Sequence, residues 1–126
     1  MKTLSIAGGA ILLLITLSWV AFGQFETMRT ITYVIPQGTK QSLETGRPGT
    51  QFPDTITMTV GLKDTIVIEN QDDVIHAFGP FVVAPHSKLR KRFDTPIVYE
   101  GACTFHQDAH MRVVVNPAPW DFSVDE

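Results

Sequence analysis

The sequence predicts an all-β sandwich of Greek-key type, preceded by one N-terminal apolar helix. Three observations carry this. No residue from Thr3 to Phe25 is charged. The remainder breaks into short stretches rich in β-branched residues, and proline and glycine stand at the joints between them. No window after the apolar segment keeps a helical period for three turns. Several short strands at this spacing point to an antiparallel sandwich or a Greek-key barrel.

The apolar segment begins after Lys2 and includes the unbroken aliphatic run Ile11 to Ile15. About 20 uncharged residues suffice to cross a hydrocarbon core of about 30 Å. The same stretch also reads as a signal peptide, because Ala21-Phe22-Gly23 offers small residues at the −3 and −1 positions for cleavage before Gln24. It is longer than a usual signal core, and Trp19, Phe22 and Phe25 suit a membrane interface, which favours a retained anchor over residues 1–23. Either reading exports the rest. An anchored chain stands on the extracytoplasmic face of a bacterial membrane, and a chain cleaved after Gly23 is periplasmic.

Residues 24–116 then form one domain, and 117–126 a flexible acidic tail. Thr30 to Ile35, Thr55 to Val60 and Thr65 to Glu69 are the clearest strands, the last two joined by the turn Gly61-Leu62-Lys63-Asp64. Shorter strands are expected at Ala77 to Phe78, Phe81 to Val83, Lys88 to Phe93, Ile97 to Cys103 and Arg112 to Val115. Their joints are Gly79-Pro80, Pro85-His86-Ser87 and Thr95-Pro96. Pro36 to Pro53 reads as a long surface loop with room for one helical turn.

Ten Lys plus Arg against thirteen Asp plus Glu leave a net charge of −3. That acidic balance argues against nucleic acid as a partner. One cysteine in 126 residues excludes a disulfide-stapled scaffold. In an oxidising compartment a lone cysteine reads as a buried inert thiol unless its neighbours say otherwise.

Here they do. The segment Cys103-Thr-Phe-His106-Gln-Asp-Ala-His110-Met111 places a thiolate, an imidazole and a thioether in one short loop. Copper accepts all three donor types and favours two His and one Cys with a long axial Met. The second imidazole must come from elsewhere. His76 is the natural candidate, because it follows the strand ending near Asn70 and a sandwich can bring it beside the loop that opens after Cys103.

The motif resembles that of the cupredoxin, or blue copper, family, with a plastocyanin-like ligand loop of spacing Cys-x2-His-x4-Met. Asn70 six residues before His76 and Tyr99 four before Cys103 extend the resemblance, which covers roughly Asp64 to Val115. It implies one mononuclear copper ion held by His76, Cys103, His106 and Met111, and single-electron transfer between redox protein partners at the membrane, a respiratory or photosynthetic complex among them. It implies no enzyme activity. The chain departs from the family at three places. Only 27 positions separate His76 from Cys103, Ala102 stands where plastocyanin has a tyrosine, and Ala77 stands where an asparagine would tie the two ligand segments together.

Other readings are weaker. Zinc gains nothing from a thioether. A dinuclear copper site needs two cysteines. Cysteine catalysis with His106 as base lacks an orienting acid. A copper storage or delivery module, or a tethered accessory subunit of a larger redox complex, stays open beside electron transfer. His86 reads as a surface residue. Lys88, Arg90 and Arg92 share one face of a strand, as a row that either guards a sheet edge or steers an acidic partner.

Overall fold

The computed structural model describes residues 4–46, 52–105 and 110–122. Helix α1 spans Leu4–Met28 and continues through Ala21-Phe22-Gly23 without a break. Its stretch Ile11–Met28 is long and apolar enough to cross a membrane, and none of it is buried in the protein. Arg29 is the one residue between the helix and strand β1 (Thr30–Ile35). The chain then forms α2 (Thr39–Glu44), β2 (Thr55–Thr59), β3 (Thr65–Asn70), β4 (His76–Phe78), β5 (Phe81–Val83), β6 (Ser87–Arg92), β7 (Ile97–Ala102) and β8 (His110–Asn116).

These strands lie where alternation and β-branching predict them, and α2 supplies the helical turn expected within Pro36 to Pro53. The pairing is less regular. One sheet runs β1-β3-β6, a second runs β2-β8-β7, and β4-β5 form a separate hairpin. An antiparallel sandwich is corrected here to a mixed one, because β1 lies parallel to β3 and β2 parallel to β8. Chain order explains the first case. Between β1 and β3 the chain passes through α2 and places β2 in the opposite sheet, so that β3 returns beside β1 in the same direction, and parallel neighbours need a long crossover of this kind.

The two sheets enclose one core. Ile56 and Met58 of β2, Ile66 and Ile68 of β3, and Met111, Val113 and Val115 of β8 point inward at alternate positions, where Ile35, Phe52, Phe78, Val83 and Phe93 join them. Burying each of the larger of these side chains stabilises the fold by about 1.5–3 kcal/mol. Strand β3, paired on both sides, is buried on both faces from Thr65 to Ile68, as a central strand should be.

The end of α1 and the segment after β8 are both held to this sandwich. Arg29 forms an ion pair with the buried Asp64, and its carbonyl accepts the Asp64 and Thr65 N–H groups. Glu26 in the last turn of α1 meets Arg90 at 2.9 Å. Burial alone would raise the Asp64 carboxyl, but hydrogen bonds from Arg29, the Gly61 N–H and the Thr65 hydroxyl, with the Arg29 charge, outweigh it and hold the group below its usual range. The segment from Pro117, expected to be a flexible tail, touches the sandwich at two of its described residues. Ala118 is buried, and the Trp120 ring lies so close to Gly61 that a Cβ there would sit 2.5 Å from it.

The basic row of β6 is not a free row of charge. Lys88 lies 3.2 Å from Glu69, Arg90 pairs with Glu26, and Arg92 lies 3.7 Å from Asp64. Each cation thus has a carboxylate nearby, although Asp64 is shared between Arg92 and Arg29.

Candidate metal centre

Strand β4 begins at His76 and turns into β5 through Gly79-Pro80, with Gly79 at φ 60° as the first residue of a two-residue hairpin loop. Phe78 of this hairpin forms an isolated antiparallel bridge to Cys103, just beyond the end of β7. Beside the bridge, the Thr104 N–H donates to the Ala77 carbonyl at 3.0 Å. Cys103 is therefore opposite Phe78 and on the same face as His76, two residues back, since alternate residues of a strand share a face.

Met111 reaches this neighbourhood from β8, where it is paired with Gly101 of β7, two residues before Cys103. Its sulfur lies 3.3 Å from where a Gly79 Cβ would sit. Gly101 is a close-approach position. A Cβ on it would lie 2.5 Å from the Gly79 carbonyl carbon and oxygen, so only glycine lets β7 pass the β4-β5 turn.

His76, Cys103 and Met111 are thus gathered at one end of the sandwich and buried, with exposures of 1%, 2% and 2%. His106 lies outside the described residues. His110 points to solvent while Met111 points inward, as alternation along β8 requires. His86 is exposed and meets Asp73 at 2.8 Å. Among the described residues no three of the His, Cys, Asp and Glu side chains converge on one point.

The state of His76 follows from its neighbours. Its Nε2 is 2.8 Å from the Asp72 Oδ2. Asp72 is buried, which by itself would raise its carboxyl, but hydrogen bonds from His76 and from the Lys40, Asp73 and Gly38 N–H groups outweigh burial and lower it to about 2. An ionised carboxylate only accepts, so the Nε2 proton of His76 must be the donor. Nδ1, the other ring nitrogen, is buried and has no hydrogen-bond partner among the described residues. A buried polar atom left unsatisfied costs about 1–3 kcal/mol, and a lone pair on a ring nitrogen whose opposite N–H is held by a carboxylate is the usual arrangement of a metal-ligating histidine. The donor set beside it, a cysteine and a methionine, is soft and suits copper.

Compared with known proteins, no family model matches the chain and no curated protein matches it. Among solved structures it is similar to a purple cupredoxin from Nitrosopumilus maritimus. The identity is 21% and the TM-score 0.43, over 68% of this chain and 98% of that one.

Sequence reasoning missed two residues. The tie expected of an asparagine after His76 comes from the opposite side, where the Thr104 hydroxyl accepts the Ala77 N–H at 3.0 Å. A hydroxyl next to Cys103 was the available signal. Asp72, four residues before His76, was the other. Asn70, in contrast, was flagged by the resemblance. Its amide donates toward the carbonyls of Val74, Val83 and Ala84, and its Oδ1 accepts the Asp72 N–H, which braces the β3-β4 connection against the end of β5. Phe105 adds an aromatic wall, with its ring centroid 5.1 Å from that of His76 and 4.7 Å from that of Phe52.

Proposed function

We propose that this chain is a membrane-tethered cupredoxin that carries single electrons on one copper ion held by His76, Cys103, His106 and Met111. The observation that carries the reading is the buried Nδ1 of His76, without a partner among the described residues, on the same strand face as Cys103. Copper bound there supplies a one-electron couple. The chain's own residues do the rest. The β4-β5 hairpin and the end of β7, joined through Phe78, Cys103, Ala77 and Thr104, hold two donors on one rigid edge, and Met111 is pressed into place against Gly79. A site fixed by sheet packing rearranges little between oxidation states, which is what fast transfer needs. His106, in the loop after Cys103, is the proposed port for electrons.

The protein is a carrier rather than an enzyme, and its partners are redox proteins of the extracytoplasmic space or of a membrane complex. Helix α1 runs unbroken through the candidate cleavage site and on to Met28, which supports a retained anchor over a cleaved signal. Strand β1 carries the chain about 20 Å from the end of that helix toward the pole where His76 lies.

The test uses the full chain in detergent with copper added. The oxidised protein is expected to bind one ion and to show an intense visible colour from thiolate-to-copper charge transfer. A mild reductant should bleach it reversibly with the metal retained, and Cys103→Ser should abolish it. Retained colour in that variant, or uptake of zinc in preference to copper from an equimolar mixture, rejects the site. Loss of the metal on reduction would instead favour storage or delivery.

A further inference from the structure

Asp72 makes more contacts than a loop carboxylate needs. Its Oδ1 accepts the N–H groups of Gly38 and Asp73, each at 3.0 Å. Its Oδ2 accepts the Lys40 N–H at 2.9 Å and the His76 Nε2–H at 2.8 Å. Three of the four donors are backbone groups, two of them from the N-terminal end of α2, more than 30 residues earlier in the chain. The carboxylate is thus pinned from both sides of the loop, and its plane cannot turn. His76 is the one side chain among its donors.

We propose that Asp72 is the positioning residue of the centre, locking His76 into the tautomer that offers Nδ1 to the metal and biasing the site toward the oxidised ion. The inference rests on the copper reading of the same site. Its physical basis is twofold. With Oδ2 able only to accept, the ring proton stays on Nε2 and the lone pair stays on Nδ1. A full negative charge on the far side of the imidazole also strengthens the ring as a donor, and that favours the more highly charged metal ion. The backbone donors reinforce both effects, because they consume the remaining lone pairs and leave the carboxylate no alternative geometry.

Asp72→Asn keeps the shape and removes the charge. Whichever way the amide turns, its NH2 group faces donors, either His76 and Lys40 or Gly38 and Asp73. The expected result, in the full chain in detergent, is a Cu(II) affinity tenfold to hundredfold lower, measured by chelator competition, with Cu(I) affinity changed less. Each tenfold loss confined to Cu(II) is read in voltammetry as a rise of 59 mV for a one-electron couple. A residue that merely caps a loop would lower stability without moving the potential.

A second measurement needs no variant and stands even if Asp72→Asn does not fold. Long-range proton–nitrogen NMR of the metal-free wild-type chain should find the His76 ring proton on Nε2 and none on Nδ1. A proton on Nδ1 overturns the proposal. So does an Asp72→Asn protein that folds, colours, and keeps the wild-type potential and affinities, and in that case the copper site itself stands. A wild-type chain that binds no copper while His76 shows the expected tautomer overturns the functional reading, and this inference with it.

Discussion

Replacing Gly101 by alanine tests whether close backbone packing builds this end of the sandwich. The new Cβ would lie 2.5 Å from the Gly79 carbonyl carbon and oxygen and 2.7 Å from the Pro80 nitrogen. Ordinary contact begins near 3.4 Å, so β7 and the β4-β5 turn must separate by about 0.9 Å. The atoms in the way are backbone, and no side chain can swing aside. Overpacking costs about 1–3 kcal/mol, and the upper half of that range applies where a turn has to move. For a domain of about 100 residues this lowers the midpoint of thermal unfolding by about 10–20 °C. Near-ultraviolet circular dichroism, which follows the aromatic cluster of Tyr33, Phe52, Phe78 and Phe105, is the assay, because it omits the backbone signal of α1 that dominates the far ultraviolet. Gly23→Ala is the control, since nothing lies within 4 Å of a Cβ there. Cys103 stands two residues after Gly101, so the variant should also bind copper more weakly. A Gly101→Ala midpoint within about 2 °C of wild type would refute the packing argument.

Three further outcomes are expected. Thr104→Val, which loses the hydroxyl that accepts the Ala77 N–H, should lower stability by about 0.5–1.5 kcal/mol in denaturant titrations, and Thr104→Ser should recover most of it; equal values for the two variants would contradict the tie. Met111→Leu should keep the copper colour while raising the potential, because loss of a weak thioether donor destabilises Cu(II) more than Cu(I), whereas His110→Ala, at a solvent-facing position, should change neither; a spectrum controlled by His110 would relocate the metal. Stability of the metal-free chain should fall with acid. Asp72 has a folded-state value of about 2 against an ordinary 3.8, so its contribution is whole above about pH 4 and is lost as pH drops toward 2, with Asp64 acting in the same direction. Urea midpoints at several pH values check this, and midpoints that hold steady to pH 2 would contradict it.

Strand positions and the donor motif were legible in the sequence because both are local signals. Alternation in Thr30-Ile-Thr-Tyr-Val-Ile and in Thr55-Ile-Thr-Met-Thr marks β1 and β2 whatever they pair with, and Cys103, His106 and Met111 keep their spacing in any fold. The charge-free run from Thr3 to Phe25 marks a helix long enough for a membrane on composition alone. Pairing was not legible. Whether β3 lies parallel to β1 depends on which sheet β2 joins, and nothing within either strand encodes that.

Only the tertiary structure decided the surroundings of His76. A carboxylate four residues before a histidine in a loop can point anywhere, and Asp72 points at His76 because the Gly38 and Lys40 N–H groups, distant in sequence, grip it from α2. Thr104 became the tie between the segments of His76 and Cys103 because the Phe78–Cys103 bridge sets it against Ala77. The row at Lys88, Arg90 and Arg92 was visible as charge, yet its partners Glu69 and Asp64 come from β3 and the residue before it, and Glu26 from the end of α1. Periodicity and donor spacing are short-range properties of the chain, whereas hydrogen-bond partners and ion pairs depend on which distant segments packing brings within about 3 Å.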